Sequence, residues 1–209
     1  MTFGAFAGHE SSGGGGDGYL CKEKSGKVIA RFVDTFETLS QNPLLHTMSN
    51  LSSSAMRRVL SRTFSDLALP KSLIREYLNN TLHFREARPN ELMTVPKSSI
   101  FASSKSKMLP DFNDDNIFSN PDQCEKFQLG IQSYTSNVVV ADFELLNMLS
   151  PAEQELFYLH ENLIRVRRLT GDTTPIRDYI ALLIASKEFE TNLLDELQIT
   201  IDPTQSFIE

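Results

Sequence analysis

The stretch from residue 150 to residue 189 constrains the fold most, because it carries the clearest signals for where helices begin. Ser150-x-x-Glu153 is a capping box, in which each side chain bonds the backbone N–H of the other residue. Pro151 occupies the first helical position, where its missing N–H is not needed. The pattern therefore predicts a helix that begins at Pro151.

A second helix is predicted directly after the first. Gly171 is a helix-ending residue, and Thr174 followed by Pro175 starts another helix by the same capping chemistry. Apolar residues continue the second helix beyond Phe189, and a short extended tail is expected from Ile199. The stretch is thus interpreted as a helical hairpin.

Charged residues interrupt the apolar face of the first helix. On a helical projection His160 and Arg167 fall near the middle of that face, and Glu161 lies at its edge. One interpretation is a core histidine beside an arginine that extends to solvent. The other is a buried polar cluster with Arg177 as a further member, because an unpaired buried charge is costly. The oxygen atoms that could accept hydrogen bonds there belong to a strand carbonyl, Asp142, Glu144 and Glu161.

The dipeptide His160-Glu161 is the only chemically suggestive pair in this helix. Zinc peptidases carry His-Glu-x-x-His on a helix, so that two imidazoles one turn apart share the metal and the Glu activates water. The second histidine position holds Ile164, which cannot bind a metal. A degenerate relative of such peptidases is therefore the alternative hypothesis, and the sequence predicts no catalytic set, no metal and no cofactor.

Strand patterns occur near both ends of the chain, and helical patterns lie between and after them. Two β-hairpins are predicted, at residues 19–34 and 126–142, and helices are predicted between residues 52 and 86, starting at Ser54 and Pro70. This order does not give the strand–helix alternation of a parallel sheet. We predict an α+β fold in which both hairpins form one mainly antiparallel sheet.

The predicted domain organisation is a short N-terminal segment followed by one domain. Residues 1–18 are interpreted as a remnant of a signal peptide, with the small-x-small pattern at residues 5–7, and a flexible Gly/Ser segment. Residues 19–209 form the predicted domain, with a long loop at about residues 87–123. No stretch is apolar enough to span a membrane.

The net charge of −7 argues against nucleic acid as a partner, because phosphate binding favours a basic surface. A local exception is the basic island, which we define as Arg57, Arg58 and Arg62. A solvated helix face is the usual interpretation of such a cluster. Binding of an anionic partner by the basic island is the alternative.

Several short motifs recur in a recognisable order. A Gly-rich segment ends in Asp17 before Cys21, Pro-Asp-x-Cys ends at Cys124, and Leu-His-Glu contains His160. This arrangement resembles small exported proteins of unknown function from predatory Gram-negative bacteria, which begin with GGxGGDxxxC after a signal peptide and carry an LHE helix. The resemblance covers about residues 13–37 and 121–185, and it implies export and a shared scaffold.

Export makes a disulfide between Cys21 and Cys124 a natural prediction, since each lies at the edge of a predicted hairpin. The resemblance implies no catalytic residues. We therefore expect an exported, non-catalytic protein of the periplasm or the extracellular space that binds a protein or another envelope component. The alternatives are the degenerate metallopeptidase relative and an effector that binds an anionic partner through the basic island.

Overall fold

The computed structural model describes residues 12–13, 16–22, 25–33, 47–69, 71–79, 82–94, 107–109, 124–133, 137–167 and 174–201. Nine strands lie in this part of the chain: β1 (Ser12–Gly13), β2 (Asp17–Lys22), β3 (Val28–Phe32), β4 (His83–Glu86), β5 (Met93–Thr94), β6 (Lys107–Met108), β7 (Cys124–Gln128), β8 (Gly130–Ser133) and β9 (Val138–Ala141). The same residues form six helices: α1 (Ser53–Asp66), α2 (Lys71–Asn79), α3 (Phe143–Leu146), α4 (Pro151–Arg167), α5 (Thr174–Ile184) and α6 (Lys187–Ile201).

The strands form mainly antiparallel sheets, and the predicted α+β class is confirmed. A three-stranded sheet has the order β3-β2-β7, and a four-stranded sheet has the order β1-β8-β9-β4. Only the β4–β9 pair is parallel among the strand pairs of the described residues. The short strands β5 and β6 pair with each other inside the predicted loop at residues 87–123.

The two predicted hairpins are joined, but through two sheets instead of one. The predicted strand Lys126–Ile131 divides at Leu129, so that β7 pairs with β2 and β8 pairs with β9. The Leu129 N–H donates to the Gly16 carbonyl at 2.9 Å, and the Leu129 carbonyl accepts from the Asp142 N–H at 3.0 Å. These two bonds direct the chain from one sheet to the other.

The region predicted to be helical up to residue 86 contains a strand at its end. Residues 83–86 form β4, whose register is fixed by the His83 N–H to the Asn137 carbonyl and by the Ala87 N–H to the Ala141 carbonyl. Both partners are more than 50 residues away along the chain, so local periodicity gave no sign of them. The first helix of this region is capped by Ser52 instead of Ser54, since the Ser52 Oγ accepts from the Ala55 N–H.

The predicted capping box at the start of α4 is confirmed. The Ser150 Oγ accepts from the Glu153 N–H at 3.3 Å, and the Glu153 Oε2 accepts from the Ser150 N–H at 3.1 Å. The predicted second helix is in fact two helices, because Ser186 interrupts it and caps α6 by accepting from the Phe189 N–H at 3.1 Å. The extended tail predicted from Ile199 does not begin there, since α6 continues to Ile201, and the residues after Ile201 lie outside the described part of the chain.

Helix α4 is the central element of the core. It packs against α1, α2, α5 and β3. Between residues 155 and 164 every residue except Tyr158 is buried. Between the two ends of this helix, only a narrow stripe of half-buried residues, Gln154, Tyr158 and Arg165, faces solvent. Glu161, at the edge of the predicted apolar face, is therefore inside the protein like His160.

The Gly/Ser segment that was predicted to be flexible within residues 1–18 forms strands where the structure describes it. Ser12 and Gly13 pair with β8, and Asp17 and Gly18 belong to β2, so the domain does not begin at residue 19. A Cβ on Gly18 would lie 2.5 Å from the Phe127 ring. Glycine serves here for close packing and not for flexibility.

Candidate functional site

The Leu-His-Glu motif of α4 contacts the glycine-rich motif at the start of β2. The Glu161 Oε1 accepts from the Gly16 backbone N–H at 2.6 Å, across 145 residues of sequence. Glu161 is completely buried. A carboxylate that accepts a backbone N–H bond in a buried position forms a strong, charge-assisted hydrogen bond. Glu161 thus fixes the position at which the N-terminal segment enters the core.

His160 is also completely buried, and its ring packs against an aromatic side chain. The centroids of the His160 and Phe32 rings are 5.7 Å apart, with an interplanar angle of 86°. Such an edge-to-face contact is a favourable geometry for two rings. His160 therefore packs α4 against β3, as the core-histidine interpretation expects.

Asp17 is the centre of a buried charge cluster. The Arg177 Nη2 lies 2.5 Å and the Lys126 Nζ lies 2.9 Å from the same oxygen, Asp17 Oδ2. The three side chains are at most 11% exposed. Buried charges of this kind are tolerated only when paired. One carboxylate thus connects α5, β2 and β7.

Gln128 holds the point where the chain crosses between the sheets. Its Nε2 donates to the Gly16 carbonyl at 3.1 Å and to the Gly130 carbonyl at 2.7 Å. Gly16 also donates its N–H to Glu161, so that both its backbone N–H and its backbone carbonyl are hydrogen-bonded. We refer to Asp17, Lys126, Gln128, Glu161 and Arg177 together as the polar cluster.

Glu153 adds a second link between α4 and the three-stranded sheet. Besides capping α4, its carboxylate accepts from the Phe32 N–H at 3.3 Å and lies 3.6 Å from the Arg31 guanidinium. In the order β3-β2-β7, β3 is an edge strand of the described sheet. The capping residue of α4 therefore also accepts a backbone hydrogen bond from an edge strand.

The predicted disulfide between Cys21 and Cys124 is confirmed. The two residues lie directly opposite each other in the β2–β7 ladder. Side chains two residues apart on a strand share a face, so the disulfide lies on the same face as Asp17 and Lys126. Tyr19 lies between them and is buried with the two cysteines and Val33 in a small hydrophobic cluster.

The sequence placed three of the interacting residues correctly inside the protein but missed their partners. His160, Glu161 and Arg177 are buried, whereas the Arg167 side chain lies outside the described part of the structure. Asp142, a predicted acceptor, instead caps α3 by accepting from the Leu145 N–H at 3.2 Å.

The missed partners are Asp17, Lys126 and Gln128. Asp17 was visible in the glycine-rich motif, and Gln128 in the strand after Cys124. Their positions in short motifs were the signal that could have found them.

The basic island is held by carboxylates of the protein itself. The Arg57 Nε donates to Glu155 at 3.3 Å, and Arg58 donates to Glu196 at 2.5 Å. The Arg62 guanidinium lies 3.8 Å from Glu196. The basic island therefore docks α1 against α4 and α6.

Glu155 also accepts from a buried phenol. The Tyr77 hydroxyl donates to Glu155 Oε2 at 3.0 Å, and Tyr77 is almost fully buried. Burial, with the nearby Glu155 carboxylate, strongly raises the pKa of Tyr77. Tyr77 is therefore a neutral hydrogen-bond donor at any physiological pH, and it holds α2 against α4.

The side chains of the polar cluster are buried or nearly buried and are not exposed to a substrate. Its carboxylates accept bonds from the protein, and Glu161, like the neighbouring His160, has no exposed surface. Among the described residues, no group of three or more His, Cys, Asp or Glu is placed to bind a metal ion. No helix of the described chain is long and apolar enough to cross a membrane.

No protein family, no curated protein and no solved structure matches this chain.

Proposed function

We propose that this is an exported, disulfide-bonded protein without catalytic activity, which binds a protein or another envelope component. The observation that carries the proposal is the disulfide between Cys21 and Cys124. Disulfides persist in oxidising compartments and are rare in the reducing cytosol. The resemblance of the N-terminal and Leu-His-Glu motifs to exported proteins supports the same location.

The burial of the polar cluster supports a non-catalytic role. A catalytic group must touch its substrate, and a general base must lie within hydrogen-bond reach of the proton that it removes. Glu161 and Arg177 are instead directed at Gly16 and Asp17 in the interior. The motif residues of the resemblance thus serve the scaffold, and binding is left to the protein surface.

The degenerate metallopeptidase alternative receives little support from the same residues. Ile164, at the position of the second histidine, is completely buried in the hydrophobic core. The Glu161 carboxylate, which would have to activate a water, accepts from the Gly16 N–H. The alternative of anion binding by the basic island is disfavoured as well, because its arginines pair with Glu155 and Glu196.

The location is tested by fractionating cells of the source organism and treating each fraction with a maleimide reagent under denaturing conditions, so that buried thiols also react. We expect the protein in the periplasm or the medium, with both cysteines unmodified until a reductant is added. Protein in the cytosolic fraction with two modified cysteines would contradict the proposal. A cytosolic enzyme assayed in every fraction controls for cell lysis.

A further inference from the structure

The disulfide and the polar cluster share one face of one strand pair. On β2, Asp17 and Cys21 point to the same side, and on β7 so do Lys126 and Cys124. The disulfide lies four residues from Asp17 along β2, which is about 13 Å at the usual rise per residue. The buried side chain of Tyr19 fills the space between them. The two features are therefore parts of one strand ladder.

Strand β2 is the element that both features hold. It is the central strand of its sheet, between β3 and β7. The segment at its start makes the contacts of Gly16 with Glu161 and of Asp17 with Arg177. A one-residue slip of β2 against β7 would move Asp17 to the opposite face and break its contacts with Lys126 and Arg177. The disulfide fixes this register covalently, since Cys21 pairs directly with Cys124.

We infer that the disulfide is a redox switch for docking of β2 against α4 and α5. In the reduced chain the register of β2 depends on non-covalent contacts alone, and the start of β2 undocks from α4 and α5. Oxidation locks β2 and thereby closes the polar cluster. The inference rests on the proposed export, because the chain would then pass from a reducing to an oxidising compartment.

The chemistry of the switch is thiol–disulfide exchange. Cys21 and Cys124 together lose two electrons and two protons as their S–S bond forms. The oxidant is the disulfide of another protein or of glutathione, which takes up the electrons and protons and becomes two thiols. No other reactant is required.

The docking contacts and the disulfide must stabilise each other by the same factor, because coupling between two equilibria is reciprocal. Weakening the polar cluster should therefore make the disulfide easier to reduce. This consequence distinguishes a coupled switch from a disulfide that only shortens the unfolded chain.

Amide hydrogen exchange on the full-length wild-type protein, oxidised and reduced, tests the switch without any substitution. The reporters are the N–H groups of Gly16 and Leu129, which bond Glu161 and the Gly16 carbonyl. We expect reduction to accelerate their exchange about a hundredfold. Exchange of the Leu193 N–H in α6 should be accelerated by a factor at least tenfold smaller, because local opening leaves distant elements closed. Equal acceleration at all three sites, or none, would overturn the inference.

The reciprocal test is the equilibrium of the protein with a glutathione redox buffer. Asp17→Asn should shift the disulfide towards the reduced form by about tenfold, within the usual range of coupling. The matched control is Glu196→Gln, which also weakens a buried carboxylate–arginine contact but lies on α6 against α1. We expect the control to shift the equilibrium less than about twofold. Equal shifts for the two variants would overturn the inference.

The outcome is separable from that of the proposed function. Both tests use purified protein, so coupling can be present whatever compartment the fractionation experiment finds. Coupling in a cytosolic protein would leave the switch and remove export, whereas an exported protein without coupling would do the reverse.

Discussion

Gly16 makes more hydrogen bonds to distant parts of the chain than its surrounding sequence suggests. Its N–H donates to Glu161, and its carbonyl accepts from Leu129 and from the Gln128 side chain. A Cβ at this position would lie 2.7 Å from the Phe157 ring. The residue is thus needed for its small size as well as for its backbone groups.

Gly16→Ala should lower the free energy of unfolding by about 1–3 kcal/mol, because the added methyl group overpacks the core. Denaturant unfolding measures the loss. The control is Gly16→Ala combined with Phe157→Leu, which removes the ring that the methyl group meets. The two changes should cost less together than the sum of their separate effects, and strict additivity would show that the contact is not the cause.

At the scale of single elements, capping chemistry was predictable and long-range pairing was not. Ser150 and Glu153 identified the start of α4 from the sequence, because a capping box is a local pattern. Strand β4 was missed, since its only described strand partner is β9, more than 50 residues later. The break between α5 and α6 was missed as well, because Ser186 is a common residue whose capping role appears only in the structure.

The candidate site was likewise predictable only in part. The helical projection placed His160 near the middle of a buried face, and the structure agrees. The projection could not find Asp17 as the partner of Arg177, because 160 residues separate them. Sequence periodicity indicates which side of an element is buried, and only the tertiary fold determines which polar group it meets there.

The turn after β4 gives a pH-dependent prediction. The Arg85 guanidinium, hydrogen-bonded to Glu91, lowers the pKa of that carboxyl from 4.5 to about 2. A lowered pKa means that ionised Glu91 stabilises the folded turn above pH 4.5, and that this contribution is lost as the pH falls towards 2. An NMR titration of the Glu91 carboxyl should show this midpoint, and Arg85→Gln should return it towards 4.5.

The exposed Arg75 on α2 provides the control for that titration. Arg75→Gln removes the same charge from the protein but no hydrogen bond to Glu91, so the midpoint should not move. An equal rise in both variants would attribute the low pKa to overall charge instead of to Arg85.

The second prediction at the scale of single elements concerns the contact between α6 and α1, which depends on a buried carboxylate. Glu196 is 1% exposed, whereas its partner Arg58 is half exposed. Arg58→Ala should lower the free energy of unfolding by about 1–2 kcal/mol, less than for a fully buried pair, because solvent screens the arginine. The measurement is a denaturant melt of both proteins.

A control variant shows whether the loss of any arginine would have the same effect. Arg75→Ala, an exposed arginine on α2, should change stability by less than about 0.5 kcal/mol. Wild-type stability in Arg58→Ala would show that the basic island does not hold α6, and it would reopen the possibility that these arginines serve an anionic partner.

At the scale of the whole molecule, the conspicuous motifs of the sequence meet in one place. The glycine-rich start bonds the Leu-His-Glu helix through Glu161 and strand β7 through Gln128, and the two cysteines join β2 to β7. Their shared position explains how short motifs at the two ends of a chain can describe one scaffold. It also places the binding role that we propose outside these motifs, on the protein surface.

The central claim is that the polar cluster holds the fold together and performs no chemistry, and a double-mutant cycle on Asp17 and Arg177 tests it most directly. Denaturant unfolding would compare the wild type, Asp17→Asn, Arg177→Met and the double variant. Asp17→Asn should cost about 3–5 kcal/mol, because it leaves the buried Arg177 and Lys126 without their carboxylate. Arg177→Met should cost less, about 1–3 kcal/mol, because Lys126 still pairs with Asp17. The double variant should cost at least about 1 kcal/mol less than the sum. Single variants within about 0.5 kcal/mol of the wild type would contradict the account, since the cluster would then be maintained for a purpose other than stability.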